Sequence, residues 1–290
     1  VTIQDPVRPG RPVIRRIGGL PLHVRREGTG PVCLLTSGLG GCWFDWDPVV
    51  PLLTPHRTVI RFDRPGYGLS GPAPAAERPG PAGEAHRIAA VLDALGEPGP
   101  VTVAGHSLAA FHVEAFARLY PDRTAALVLL DGSVEEDPRP RPAPGLRDAA
   151  ARLLAAALTA AAAPYLCGPA ARRLVVRQAS LRGREEVPAD LLRRCYRPGR
   201  ALRALLRENT AYLDDAAALA ALRTARPLPD APVTVLAAAR TDGSPWLVRQ
   251  RALAARLGGA FRTAVPAGHL LMIDAPAEVA AAILGTSRPG

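Results

Sequence analysis

Short runs that are apolar along most of their length, separated by stretches of helical periodicity, constrain this chain more than any other feature. Residues 31–36, 58–62, 100–104, 125–130, 232–237 and 261–265 are such runs. A strand with one face in water alternates apolar and polar residues. A continuous apolar run of this length reads instead as a strand covered on both faces. Between the runs, residues 84–95 carry Ile88, Val91, Leu92 and Leu95 at helical spacing, residues 245–257 read as another helix, and a last helix follows Ala277. Strands alternating with helices predict an α/β fold with a mostly parallel sheet flanked by helices. Near the start, residues 13–17 and 20–26 read as a hairpin joined by Gly18-Gly19.

The alternation stops after Asp131. A proline and arginine string, 137–144, leads into residues 145–226, which show only helix-like stretches rich in Ala, Leu and Arg. Breaks are expected near Pro164, Gly168, Gly183, Pro188 and Pro198-Gly199. The reading is an α/β core over residues 1–133, an all-helical insert over 134–227, and the remainder of the core over 228–290. The longest apolar stretch, 153–166, has 14 residues, is mostly Ala and contains Pro164. A membrane span needs about 18–20 residues, so this stretch reads as a buried helix and stable membrane insertion is not expected.

The chain has 290 residues and a net charge of +10, all 36 basic residues being Arg. Arg, Ala, Gly and Pro in such excess suggest GC-rich, bacterial coding, which weakens any functional reading of the charge. Residues 134–226 hold 17 Arg against 10 acids, but the Arg pairs are scattered and lack interleaved aromatics, so nucleic-acid binding is not expected. Cys33, Cys42, Cys167 and Cys195 form no Cys-x-x-Cys pair and have no His at metal-ligand spacing. Free thiols in a reducing cytoplasm are expected, with a Cys167–Cys195 bridge left open. The first residues, Val1-Thr-Ile-Gln-Asp-Pro6, show no export pattern.

The chemistry gathers where strands end. Ser107 follows a predicted strand and opens a predicted helix in Ala104-Gly-His-Ser-Leu-Ala109. So tight a turn presents one side chain at the carboxyl edge of the sheet, with the amide of the next residue facing the same space. Ser also caps helices, so this residue alone admits a structural reading. A serine hydroxyl needs a base, and His269 follows the last predicted strand on the side where Ser107 must emerge. His106, next to the serine, is expected to point away and be structural. Asp242, after the strand at 232–237, is the favoured acid to orient the imidazole, with Asp131 as the alternative. The glycine-rich segment Thr36-Ser-Gly-Leu-Gly-Gly41 can turn amides toward a developing oxyanion, and the N–H groups of Leu39 and Leu108 are the expected donors.

Four segments in order resemble the α/β-hydrolase superfamily. Ser37-Gly-Leu-Gly40 resembles its His-Gly-x-Gly oxyanion segment, and Asp63-Arg-Pro-Gly-Tyr-Gly-Leu-Ser70 its Asp-x-x-Gly-x-Gly-x-Ser stretch. Gly105-His-Ser-Leu-Ala109 resembles the Gly-x-Ser-x-Gly elbow, and Gly268-His269 with Ile273-Asp-Ala-Pro276 the histidine segment. Ser37 and Ala109 depart from the pattern, replacing His and Gly. The resemblance implies an eight-stranded sheet, a cap at the helical insert and a substrate pocket beneath it. Trp43, Trp46 and Trp246 would line the pocket mouth or pack in the core. The implied activity is a serine hydrolase of a small, largely apolar ester, thioester or lactone, needing no metal or cofactor. Carbon–carbon bond hydrolysis or cofactor-free perhydrolysis on the same triad is the alternative. A ligand-binding protein with little turnover is the alternative from another class. Oligomeric state is not legible.

Overall fold

The apolar runs assemble into one sheet. The computed structural model describes residues 13–285, so Val1–Pro6 lie outside the described residues. The strands are β1 (Val13–Ile17), β2 (Leu20–Glu27), β3 (Val32–Thr36), β4 (Thr58–Phe62), β5 (Val101–His106), β6 (Thr124–Leu130), β7 (Val233–Ala238) and β8 (Ala260–Ala264). Their order is β1-β2-β4-β3-β5-β6-β7-β8. The β1/β2 and β2/β4 pairs are antiparallel, and every other pair is parallel. The expected eight-stranded, mostly parallel sheet is therefore the observed one.

Helices cover both faces, as the unbroken apolar strands require. Those of the core are α1 (Val50–Leu53), α2 (Pro81–Ala94) and α3 (Ala109–Leu119). Four helices stand between β6 and β7: α4 (Pro144–Ala160), α5 (Ala163–Ala179), α6 (Ala189–Tyr196) and α7 (Gly199–Ala225). The chain then returns to the core with α8 (Pro245–Arg256), α9 (Leu271–Asp274) and α10 (Pro276–Leu284). One apolar cluster, with Leu34, Ile60, Val103, Phe116 and Val235, packs beneath α2, α3 and α8. A second, with Leu35, Val59, Val128, Leu236 and Met272, fills the face under α1 and α10. Strand residues alternate between the two clusters, as a period of two demands.

Two expectations for the insert need correction. Gly168 does not break the chain, because α5 runs through it. Pro164 sits in the first turn of α5, where a missing N–H costs nothing. The break expected near Pro164 falls at Ala162, whose φ is 57°. The stretch 153–166 is also not a buried helix: Leu153 is 72% and Leu166 70% exposed. Ala151 and Ala155 face inward instead. All four cysteines are free, with Cys167 exposed and Cys195 buried, so no Cys167–Cys195 bridge exists. No single helix among the described residues is long and apolar enough to cross a membrane.

Candidate active site

Strand β5 ends at His106, and the next residue takes φ 54° before α3 begins. That left-handed conformation is rare for a side chain larger than glycine and throws the Ser107 hydroxyl out at the carboxyl edge of the sheet. Gly105 makes the turn possible, because a side chain there would run into the Ala109 carbonyl and the Val113 side chain. The close approach thus falls on the first glycine of the motif, and Ala109 is accommodated in the first turn of α3.

His269 reaches the serine from the loop after β8. Its Nε2 lies 3.0 Å from Ser107 Oγ, and its Nδ1 lies 2.6 Å from Asp131 Oδ2. Asp131 immediately follows β6, the neighbour of β5 in the sheet, and also has a positive φ of 45°. Its carboxylate is buried and fully engaged. Oδ1 accepts the Trp246 indole N–H at 2.5 Å and the Ala238 N–H at 3.0 Å. These donors hold one oxygen so that the other faces the imidazole. An ionised Asp131 accepts from Nδ1–H, which leaves Nε2 free to accept the serine proton.

Asp242, the favoured acid from sequence, is not brought to this histidine. It lies exposed on the turn between β7 and α8 and makes no hydrogen bond or ion pair among the described residues. Both acids follow a strand at the correct edge of the sheet. Asp131 emerges one strand from the serine and leaves its strand directly, whereas three further residues separate Asp242 from the end of β7. Of the two readings of the tryptophans, packing in the core is the one that holds for Trp43 and Trp46. Trp46 is wholly buried, its indole N–H donating to Ser37 Oγ at 2.9 Å. Trp43 is buried beneath the Arg25 and Arg61 guanidinium groups. Trp246 serves Asp131 rather than a pocket.

The loop after β3 packs against the serine. A Cβ on Gly38 would lie 2.7 Å from the Ser107 Cβ, so only glycine permits this approach. Ser37, which replaces the usual histidine, donates its hydroxyl to the Cys42 carbonyl at 3.0 Å while accepting from Trp46. Its substitution therefore keeps the loop internally bonded. The Leu39 and Leu108 N–H groups have no acceptor among the described residues.

His106, expected to be structural, is so: its Nε2–H donates to the main-chain carbonyl of His269 at 2.8 Å. Burial, reinforced by the neighbouring His269, lowers the His106 pKa to about 3. Neutral His106 can thus hold the backbone of the base without adding a charge. Asp274 ties the same loop down from the other side, accepting from Gly268 N–H at 2.7 Å and Ser180 Oγ at 2.5 Å. Partial burial opposes ionisation of Asp274, but the Ser180 hydroxyl and three backbone N–H groups outweigh it and hold its carboxyl below the usual range. The signal for His106 was its position one residue before the serine, at the end of a buried strand. The Asp63 segment is a structural knot. Asp63 binds the ring of His23 at 2.8 Å and the N–H groups of Trp43 and Leu69 at 2.9 and 3.0 Å.

A cavity of about 310 Å³ adjoins the loop, roofed by the inserted helices. Leu39 and Gly40 form one wall, with Leu158, Pro164, Val175 and Leu205 opposite. Arg172 also reaches it, but its guanidinium is held by Asp45 at 2.5 Å and Glu185 at 2.7 Å. The wall is thus apolar, with its cation already paired. Among the described residues no three His, Cys, Asp or Glu side chains converge to hold a metal ion.

A covered, mostly parallel eight-stranded sheet, with a serine on a strained strand-to-helix turn and a histidine after the last strand, is the frame of the α/β hydrolases as a class. Residues 33–282 match the alpha/beta hydrolase family, and the chain belongs to it. Among solved structures, Cfl2 from Burkholderia cenocepacia is similar with a TM-score of 0.73 at 20% identity, over 95% of each chain. A malate-bound thermophilic esterase from Thermogutta terrifontis has a TM-score of 0.67 at 24% identity, covering 95% of this chain and 97% of its own. Among curated proteins, 2-(acetamidomethylene)succinate hydrolase of Mesorhizobium japonicum is 31% identical over 40% of this chain and 40% of its own. The 2-hydroxy-6-oxo-2,4-heptadienoate hydrolase of Pseudomonas putida is 33% identical over 39% of this chain and 41% of its own. The matches span about two fifths of the length of these curated relatives.

Proposed function

We propose that this chain is a serine hydrolase that cleaves a small ester, thioester or lactone whose acyl or alkyl group is apolar and uncharged. The observation that carries this reading is the unbroken hydrogen-bonded series Ser107–His269–Asp131, with two unpaired main-chain donors beside it. Ser107 Oγ attacks the carbonyl carbon as His269 Nε2 takes its proton. Asp131 stabilises the resulting imidazolium, and the Leu39 and Leu108 N–H groups receive the oxyanion. Collapse of the tetrahedral species expels the alcohol or thiol, protonated by His269. Water, activated by the same imidazole, then releases the acid from the acyl-serine.

The apolar cavity supports an apolar group, and the pairing of Arg172 with Asp45 and Glu185 argues against an acidic one. For the same reason carbon–carbon cleavage of an anionic dienoate, which the name of the Pseudomonas putida relative suggests, is less well supported. A binding protein without turnover would be favoured if Ser37 or Ala109, the two departures from the family pattern, disrupted the loop or the elbow, and both residues fit. A p-nitrophenyl ester series from acetate to octanoate, run on wild type and Ser107→Ala, tests the reading. The expected outcome is turnover by wild type that falls at least a thousandfold in the variant. Equal rates from the two proteins would reject serine catalysis on these esters. Fluorophosphonate labelling of Ser107 without turnover would favour the binding protein.

A further inference from the structure

The Leu39 N–H is only as good a donor as the peptide plane that carries it. In a trans peptide the C=O of one residue and the N–H of the next point in opposite directions. The carbonyl of Gly38 therefore dictates where the Leu39 N–H points. Glycine has the widest backbone freedom of any residue, so this plane needs an external hold.

One guanidinium supplies much of that hold. Arg64, buried after β4, donates Nη2–H to the Gly38 carbonyl at 3.0 Å and Nη1–H to the Ser37 carbonyl. The Gly41 N–H adds a bond to Gly38 O at 3.1 Å. Arg64 is itself fixed from the inserted helices. Glu208 on α7 accepts its Nε–H at 3.1 Å and its Nη2–H at 2.8 Å, a fork-to-fork pair of fixed geometry. The Tyr67 hydroxyl donates to the same carboxylate at 2.9 Å. From α6, the Tyr196 hydroxyl donates to the Gly40 carbonyl at 3.0 Å. The carbonyls of residues 37, 38 and 40 are thus all bound, two of them by an arginine that α7 holds and the third by α6.

We propose that Arg64, clamped by Glu208 of the inserted helix α7, is a positioning residue that aims the Leu39 N–H at the oxyanion, making the cap part of the oxyanion site as well as the wall of the pocket. It touches no reacting atom. Its effect should therefore fall on the transition state and spare ground-state binding. This inference rests on the serine-hydrolase reading above.

The test compares Glu208→Gln and Arg64→Lys with wild type. Glu208→Gln keeps the shape and one acceptor, and Lys keeps the charge but loses the fork. Three quantities are read: kcat and KM on a p-nitrophenyl ester, and the affinity for an alkylboronic acid. The boronic acid binds Ser107 as a tetrahedral anion and so reports on the oxyanion donors. Loss of one oxyanion donor costs about a hundredfold to a thousandfold in kcat, and misaiming one should cost about ten- to a hundredfold. Arg64→Lys is expected to lose that much in kcat, with KM within about threefold and boronate affinity falling in parallel. Glu208→Gln is expected to fall between it and wild type. A rise in KM alone, or a lower melting temperature with kcat and boronate affinity unchanged, would overturn the proposal and leave the pair a plain structural tie. Wild type lacking Ser107-dependent turnover and boronate binding would overturn the serine-hydrolase reading itself, and this proposal with it.

Discussion

The sheet and the inserted helices are held by different physics. Strands β4, β5 and β7 bury every residue, and their side chains interlock with those of the covering helices without a charge among the central contacts (Arg61, which turns its guanidinium to Glu27 and Asp47, is the exception). The insert keeps a thin apolar interior and leaves Leu146 and Leu153 each 72% exposed. It is fastened to the core by arginines: Arg172 to Asp45, Arg64 to Glu208, and Arg200 to the carbonyls of Gly68 and Ser70. Burial is non-directional and gives the sheet its stability. Charged hydrogen bonds are directional and set where the insert sits. The proposed triad stands wholly on the sheet side, whereas the pocket and the hold on the oxyanion loop belong to both.

That contrast can be broken most sharply at the acid. Asp131→Asn is expected to lower kcat about ten-thousandfold by upsetting the imidazole tautomer, while Asp242→Asn stays within about twofold, in ester turnover assays. At the junction, Arg172→Met strands the Asp45 and Glu185 carboxylates in the interior. Urea unfolding should register a loss of about 3–5 kcal/mol, with the apolar cavity disturbed and the Ser107–His269 geometry kept. Within the cavity, Leu205→Phe should shift the acyl preference to shorter chains, by about tenfold in the kcat/KM ratio of octanoate to acetate esters.

The pH dependence of stability separates the two regions by sign. His106, at the sheet edge, has its pKa lowered from 6.5 to about 3 by burial and by His269. The unfolded chain takes up its proton first on acidification. The contribution is therefore complete above pH 6.5 and is lost as pH falls toward 3. Asp215, on α7, is pushed up from 3.8 to about 8 by burial and by the charges of Glu208 and Asp214. The unfolded chain releases this proton first, so stability is lost as pH rises from 3.8 through 8. Thermal melts of Asp215→Asn across that range should lack this decline and retain the acid loss. The smallest effect is expected at Leu153→Ser, within about 0.5 kcal/mol of wild type, because that side chain already faces water.

Much of this architecture is legible in one sequence, for reasons that individual elements make plain. The run at 58–62 coincides with β4 because a strand covered on both faces writes its burial into every residue. Ser107 and His269 are legible because each lies beside a strand end in a chemically unusual setting. Asp131 against Asp242 was not decidable in this way, since both are acids just past a strand at the same edge. The choice turned on sheet order and on the Trp246 and Ala238 donors, 115 and 107 residues away in the chain. The tryptophans were left between two readings because an aromatic near a loop suits a pocket or a core equally well. Only packing showed that Trp46 fills the space beneath Ser37.

By itself the sequence determined the strands, the helices, the insert, the serine elbow and the histidine loop, because periodicity and turn chemistry act between residues a few positions apart. Tertiary structure alone decided which acid meets the imidazole, which residues wall the cavity, and that Glu208 reaches Arg64 across 144 positions of chain. Those outcomes depend on directional contacts between distant segments, whose alignment no local pattern encodes.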